Sequence, residues 1–238
     1  MSNQNTNVPA SFRVIGVGMG IDEVINKIKL LELDGVSAEI AEYPYECIPG
    51  DEDKLAIIIF TDLEETANRI AYSFHDAGVL TIGISEDADP SCYDSVMLCD
   101  SRREYPEIIK ALLQPIVTLG MINYDFQDLS TTLRDTEYFT VKSTSGESVK
   151  GATEKLKDVF HELDLTCVDY LTLNLYFNPN RALPIAMNDM ESLSQLISKM
   201  PETVHVIWSV NHDENLNGDE IRLSAILAVK EKRECLRK

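Results

Sequence analysis

Apolar residues fall into short runs separated by turn chemistry. Residues 12–17 are β-branched and apolar, which predicts a buried strand. A glycine-spaced turn follows (Gly16, Gly18, Gly20). Asp22 then opens a segment whose Val24, Ile25, Ile28 and Leu31 share one helical face. Asp34-Gly35 is expected to end that helix, with glycine taking the left-handed conformation. Residues 36–41 predict a short strand, 55–60 a second buried strand, 63–77 a helix ending at Gly78, 79–84 a third buried strand and 95–99 one more. Strands and helices alternating at this spacing predict parallel pairing through right-handed crossovers.

The rhythm then changes. Residues 106–120 predict a helix that Pro115 must kink or interrupt, and a second helix runs from after Asn123 to about Arg134. Strands are expected at 138–143, 168–177, 203–210 and 221–229, with a helix begun by Ser145-Gly146-Glu147 and another, 190–200, capped by Asp189. Asn217-Gly218 between the last two strands favours an antiparallel hairpin pair. The expected fold class is α/β: a parallel Rossmann-like N-terminal lobe with helices on both faces, then an α+β C-terminal lobe with a mixed four-stranded sheet. The expected divisions are a polar, disordered leader (1–11), a first lobe (12–105), connecting helices (106–136), a second lobe (137–229) and a basic tail (230–238).

Charge narrows the function classes. Against 21 Lys and Arg stand 40 Asp and Glu, a net charge of −19. Nucleic-acid binding works by basic residues displacing counterions, so no nucleic-acid partner is expected. The longest aliphatic strand-like run, 55–60, is far too short for a bilayer, so no direct membrane insertion is expected. The five cysteines form no C-x-x-C pair, and the four histidines lack close ligand spacing, so no metal site is expected. With no signal peptide, the expected compartment is the cytoplasm.

Three segments in order carry a family resemblance. They are Arg13-Val14-Ile15-Gly16-Val17-Gly18-Met19-Gly20, then Gly120-Met121-Ile122-Asn123-Tyr124-Asp125-Phe126-Gln127-Asp128, then Ser145-Gly146-Glu147 with the strands and helices after it. The first resembles the strand and glycine-rich loop that open FtsZ. The second resembles its synergy loop, G-L-I-N-V-D-F-A-D. Together they span about residues 12–229 of an FtsZ/tubulin-like chain. One signature departs. Where that family carries G-G-G-T-G-T-G, this chain has Thr61-Asp62-Leu63-Glu64-Glu65-Thr66, without a glycine.

The resemblance implies that Gly16, Gly18, Met19 and Gly20 face the phosphates of GTP or GDP. The same residues also suit a plain strand-to-helix turn. Asp62, Glu64 and Glu65 fall where phosphates would lie, though acidic residues equally suit a helix start. The resemblance further implies a catalytic, water-orienting role for Asp125 and Asp128, with Asn123 beside them. Asn123 or Asp125 as a helix cap, with Asp128 in the first turn, fits the same positions. The basic tail reads as a solvated end or a short docking peptide.

The leading expectation is a divergent FtsZ-like protein without GTP hydrolysis, with no cofactor unless GTP or GDP. It would act as a homo-oligomer or on an FtsZ-type partner in cell division or the cytoskeleton. The alternatives are an active GTPase that polymerises through altered loops, and a small-ligand binder using the cleft at the strand ends.

Overall fold

Leu55–Phe60 (β3), Leu-Ala-Ile-Ile-Ile-Phe, offers no polar side chain to water, and all six residues are buried. A strand apolar on both faces needs neighbours on both edges and cover above and below. In the computed structural model, which describes residues 11–44, 46–85, 88–99, 101–134, 136–182, 184–231 and 236, β3 has them. Phe12–Val17 (β1) pairs parallel on one edge and Leu80–Ile84 (β4) on the other. Val36–Ile40 (β2) extends the sheet beyond β1, and Ser95–Met97 (β5) extends it beyond β4.

Two helices cover this sheet. Asp22–Lys29 (α1) buries Val24, Ile25 and Ile28, and Glu64–Asp76 (α2) buries Ala67, Ile70, Ala71 and Phe74. Each fully buried Ile, Leu or Phe contributes roughly 1.5–3 kcal/mol relative to exposure. The apolar periodicity that predicts these elements is thus also what holds them. Helix α1 ends at Lys29, earlier than expected; Gly35, at φ 69, belongs to the turn into β2.

The chain divides into two compact units, one ending at Lys110 and one starting at Ala111. Tyr105–Val117 (α3) is one helix that contains Pro115, so the expected interruption does not occur. The residue sits in the last turn, where a missing N–H costs one hydrogen bond and little of the helix remains to be displaced.

The second unit holds the strands Gly120–Ile122 (β6), Tyr138–Gly146 (β7), Tyr170–Phe177 (β8), His205–His212 (β9) and Ile221–Val229 (β10). Their order across the sheet is β7-β10-β8-β9-β6. This corrects three expectations. The mixed sheet of this unit has five strands, because β6 from the connecting segment pairs antiparallel with β9. Strands β9 and β10 are not a hairpin. Strand β8 lies between them, antiparallel to β10 and parallel to β9. The joint between β9 and β10 is long enough to step across one strand, and Gly218, at φ 43, serves a turn within that joint.

Third, two helices begin differently than expected. Strand β7 runs on through Ser145 and Gly146, and Ser148 caps Val149–His161 (α5) by accepting the Gly151 N–H. Asp189 lies in a 3-10 turn, Met187–Met190, and accepts the Ala186 N–H at 2.8 Å. Glu191–Ile197 (α6) follows it and is shorter than expected. Helix α5 packs on β7, β10 and α6. Phe126–Leu133 (α4) packs on β8, with the Thr132 and Thr172 hydroxyls 3.0 Å apart inside. The leader at 1–10 and most of the basic tail lie outside the described residues.

Candidate functional site

Strand β1 hands the chain to a tight turn before α1. Gly18 (φ 100) and Gly20 (φ 73) occupy backbone conformations that L side chains rarely adopt, so glycine is required there. At Gly18 the demand is doubled. A Cβ would collide with the Asp62 carboxylate and the Thr61 hydroxyl, which belong to the loop after β3. Because β1 and β3 are adjacent and parallel, with Val17 opposite Phe60, the two loops emerge side by side.

They are tied to each other. Asp62 Oδ1 accepts the Met19 N–H at 3.0 Å. Thr61 Oγ1 lies 3.0 Å from the Met19 carbonyl and 2.9 Å from Asp62 Oδ1, and its one proton serves one of them at a time. The Met19 amide foremost, and then the Thr61 hydroxyl, hold the exposed Asp62 carboxyl below its usual pKa, with a smaller contribution from Arg102. The Met19 amide in the glycine turn is therefore already given to an anion, and that anion is the protein's own side chain.

The surrounding charge is mostly negative. Asp22 and Glu23 occupy the first turn of α1, and Glu64 and Glu65 the first turn of α2. Acidic residues there are favourable to the helix dipole and unfavourable to an arriving phosphate. Glu23 is held below its usual pKa chiefly by Lys27, with a small contribution from Arg103, as Arg102 adds a small one at Asp62. Sequence reasoning misses these two arginines. They lie about 40 residues downstream of the Asp62 loop, and no local motif marks them. Among the described residues no cluster of His, Cys, Asp and Glu could hold a metal ion.

The second candidate segment lies in the other unit. Asp125 Oδ1 accepts the N–H groups of Gln127 (2.8 Å) and Asp128 (3.1 Å), and Asp128 Oδ2 accepts the Asp125 N–H (3.1 Å). This is a reciprocal capping box at the start of α4. Asn123 Oδ1 accepts the Gly120 N–H at 3.2 Å. Tyr124 is buried between these exposed neighbours, and desolvation pushes its hydroxyl pKa up. Replacing Asp125 by Ala is expected to cost about 0.5–2 kcal/mol of stability, measured by urea unfolding. Wild-type stability in that variant would show that the box contributes nothing.

No family model matches the sequence, and no curated protein matches it. Solved structures do match. An empty FtsZ dimer from M. jannaschii superposes with a TM-score of 0.72 at 13% identity, over 94% of this chain and 89% of that one. The GDP-bound CetZ1 monomer from Haloferax volcanii gives 0.62 at 9%, over 95% and 96%. TubZ from Bacillus thuringiensis serovar israelensis, in GDP-form protofilaments, gives 0.50 at 8%, over 79% and 63%. Among the described residues no helix is long and apolar enough to cross a membrane. With its strands and helices matched over most of their length to these structures, the chain has the FtsZ/tubulin fold.

Proposed function

We propose that this chain is an FtsZ-like cytoplasmic protein that does not hydrolyse GTP and acts through protein contacts, with copies of itself or with an FtsZ-type partner. The observation that carries this reading is the Asp62 carboxylate on the Met19 N–H at 3.0 Å. A phosphate arriving at this turn must displace Asp62 and then remain near its charge. Like charges at such short range repel, even where solvent screens part of the repulsion. Self-association is supported by the assemblies named for similar folds, an FtsZ dimer and TubZ protofilaments.

Calorimetry with GTP and GDP in magnesium tests the reading. The expected result is no binding tighter than about millimolar, because the acidic loop stands in place of a glycine cradle. Micromolar binding would sink the reading. A GTPase reading draws on the 123–128 segment, which keeps both carboxylates. Under it, the wild type releases phosphate from GTP, and Asp125→Asn abolishes that release while leaving the melting temperature unchanged.

A further inference from the structure

Strand β9 has two unlike edges. Along one it pairs with β8 from His205 to His212. The His205 N–H donates to the Asp169 carbonyl (2.8 Å) and the Asp213 N–H to the Phe177 carbonyl (2.9 Å). Odd-numbered residues of β9 therefore bond to β8, and the backbone N–H and C=O of even-numbered residues turn to the other edge. Strand β6 meets that edge at Asn211 and Val210, and the chain then leaves to cap α4. Among the described residues no strand lies beside Val206 and Trp208. The open stretch is about four residues, or ~13 Å, long.

Its edge lacks the usual protection. Residues 205–209, His-Val-Ile-Trp-Ser, contain no proline, lysine, arginine or carboxylate. Trp208 keeps 38% of its surface exposed, and Ile122, opposite Val210 and diagonal to Trp208 on the same face, keeps 40%. Glu202 and Glu214 flank the stretch in sequence, Asp125 and Asp128 follow closely on Ile122, Lys199 is the nearest cation along the chain, and the whole chain carries −19.

We infer that this edge receives, by strand addition, an extended segment of a partner protein that alternates basic and apolar residues. Main-chain bonds to Val206 and Trp208 supply the pairing, and one face of the segment packs on Trp208 and Ile122. A second copy would bring the same net negative charge to the join, whereas a basic segment brings the opposite sign. The inference gives the protein-contact reading a partner chemistry, and its test uses no nucleotide, so the two can fail separately.

Trp208 is the chain's one tryptophan, so its fluorescence reports on this edge directly. The probes are capped peptides of alternating Lys–Val, Lys–Ser and Glu–Val. The Lys–Val peptide is expected to shift Trp208 emission to shorter wavelength and to saturate at a concentration at least tenfold lower than Lys–Ser. Glu–Val should leave emission unchanged. Val206→Pro removes an outward N–H, and Val206→Lys places a charge on the edge. Each should weaken Lys–Val binding at least tenfold with unchanged circular dichroism, and the lysine variant decides if the proline variant fails to fold. Equal responses to Lys–Val and Lys–Ser, no response at all, or binding that ignores Val206→Lys would overturn the inference. So would a wild-type dimer in sedimentation that Val206→Lys dissociates, because the edge would then belong to a second copy.

Discussion

Asp62→Gly is expected to bind magnesium-GTP about tenfold tighter than the wild type, because it takes a solvent-screened negative charge away from the arriving phosphate. The substitution removes the carboxylate nearest the turn and releases the Met19 N–H that it now occupies. It also places a glycine in a loop that has none between Thr61 and Thr66. Calorimetry on the two proteins measures the difference. An affinity no better than the wild type's would mean that Asp62 is not what closes this turn.

The same contact has a pH signature. The folded pKa of Asp62 is lowered, so its contribution is fully present above the ordinary carboxylate range. It is lost as the pH falls through the lowered folded value. The Met19 amide resonance should follow that titration, and Asp62→Asn should abolish it.

Asp213→Ala should destabilise the second unit by about 3–5 kcal/mol, the usual consequence of leaving a buried charge without its partner. Asp213 and Arg222 form an ion pair at 3.0 Å, with side chains 1% and 14% exposed. Arg222 also donates to Gln114 Oε1 at 2.6 Å and lies over the Tyr176 ring at 4.3 Å. Losing the carboxylate leaves the guanidinium desolvated with one neutral acceptor. Pairing Asp213→Leu with Arg222→Met removes both charges, and this double variant should recover most of the loss. Urea denaturation of the single and double variants checks both statements. A small cost for Asp213→Ala would show that water reaches Arg222 freely.

Several features are legible in the sequence because their cause is local. The run 55–60 is apolar at every position, so it had to be a strand buried on both faces. The helical face of Val24, Ile25 and Ile28 is written in its spacing. Asp125 followed three residues later by Asp128 reads as a helix start, and the reciprocal hydrogen bonds follow from that spacing. Ser148 is hidden as a cap because Ser145-Gly146-Glu147 offers the same chemistry three residues earlier. Strand β7 absorbs Ser145 and Gly146 by pairing with β10.

The sequence by itself determined the α/β fold class, most of the strands, and the acidic, glycine-free composition of residues 61–66. These depend on composition and on periods of two or 3.6 residues, which act within a few neighbours. Only the tertiary structure decided that β8 separates β9 from β10, that Gly120–Ile122 is a strand, and that Asp62 reaches Met19. It also left Val206 and Trp208 at an unpaired edge. Each of these is a choice of partner between segments distant along the chain. Backbone N–H and C=O groups are the same in nearly every residue, so pairing is set by which crossovers can bury the apolar faces together, and no local pattern records that outcome.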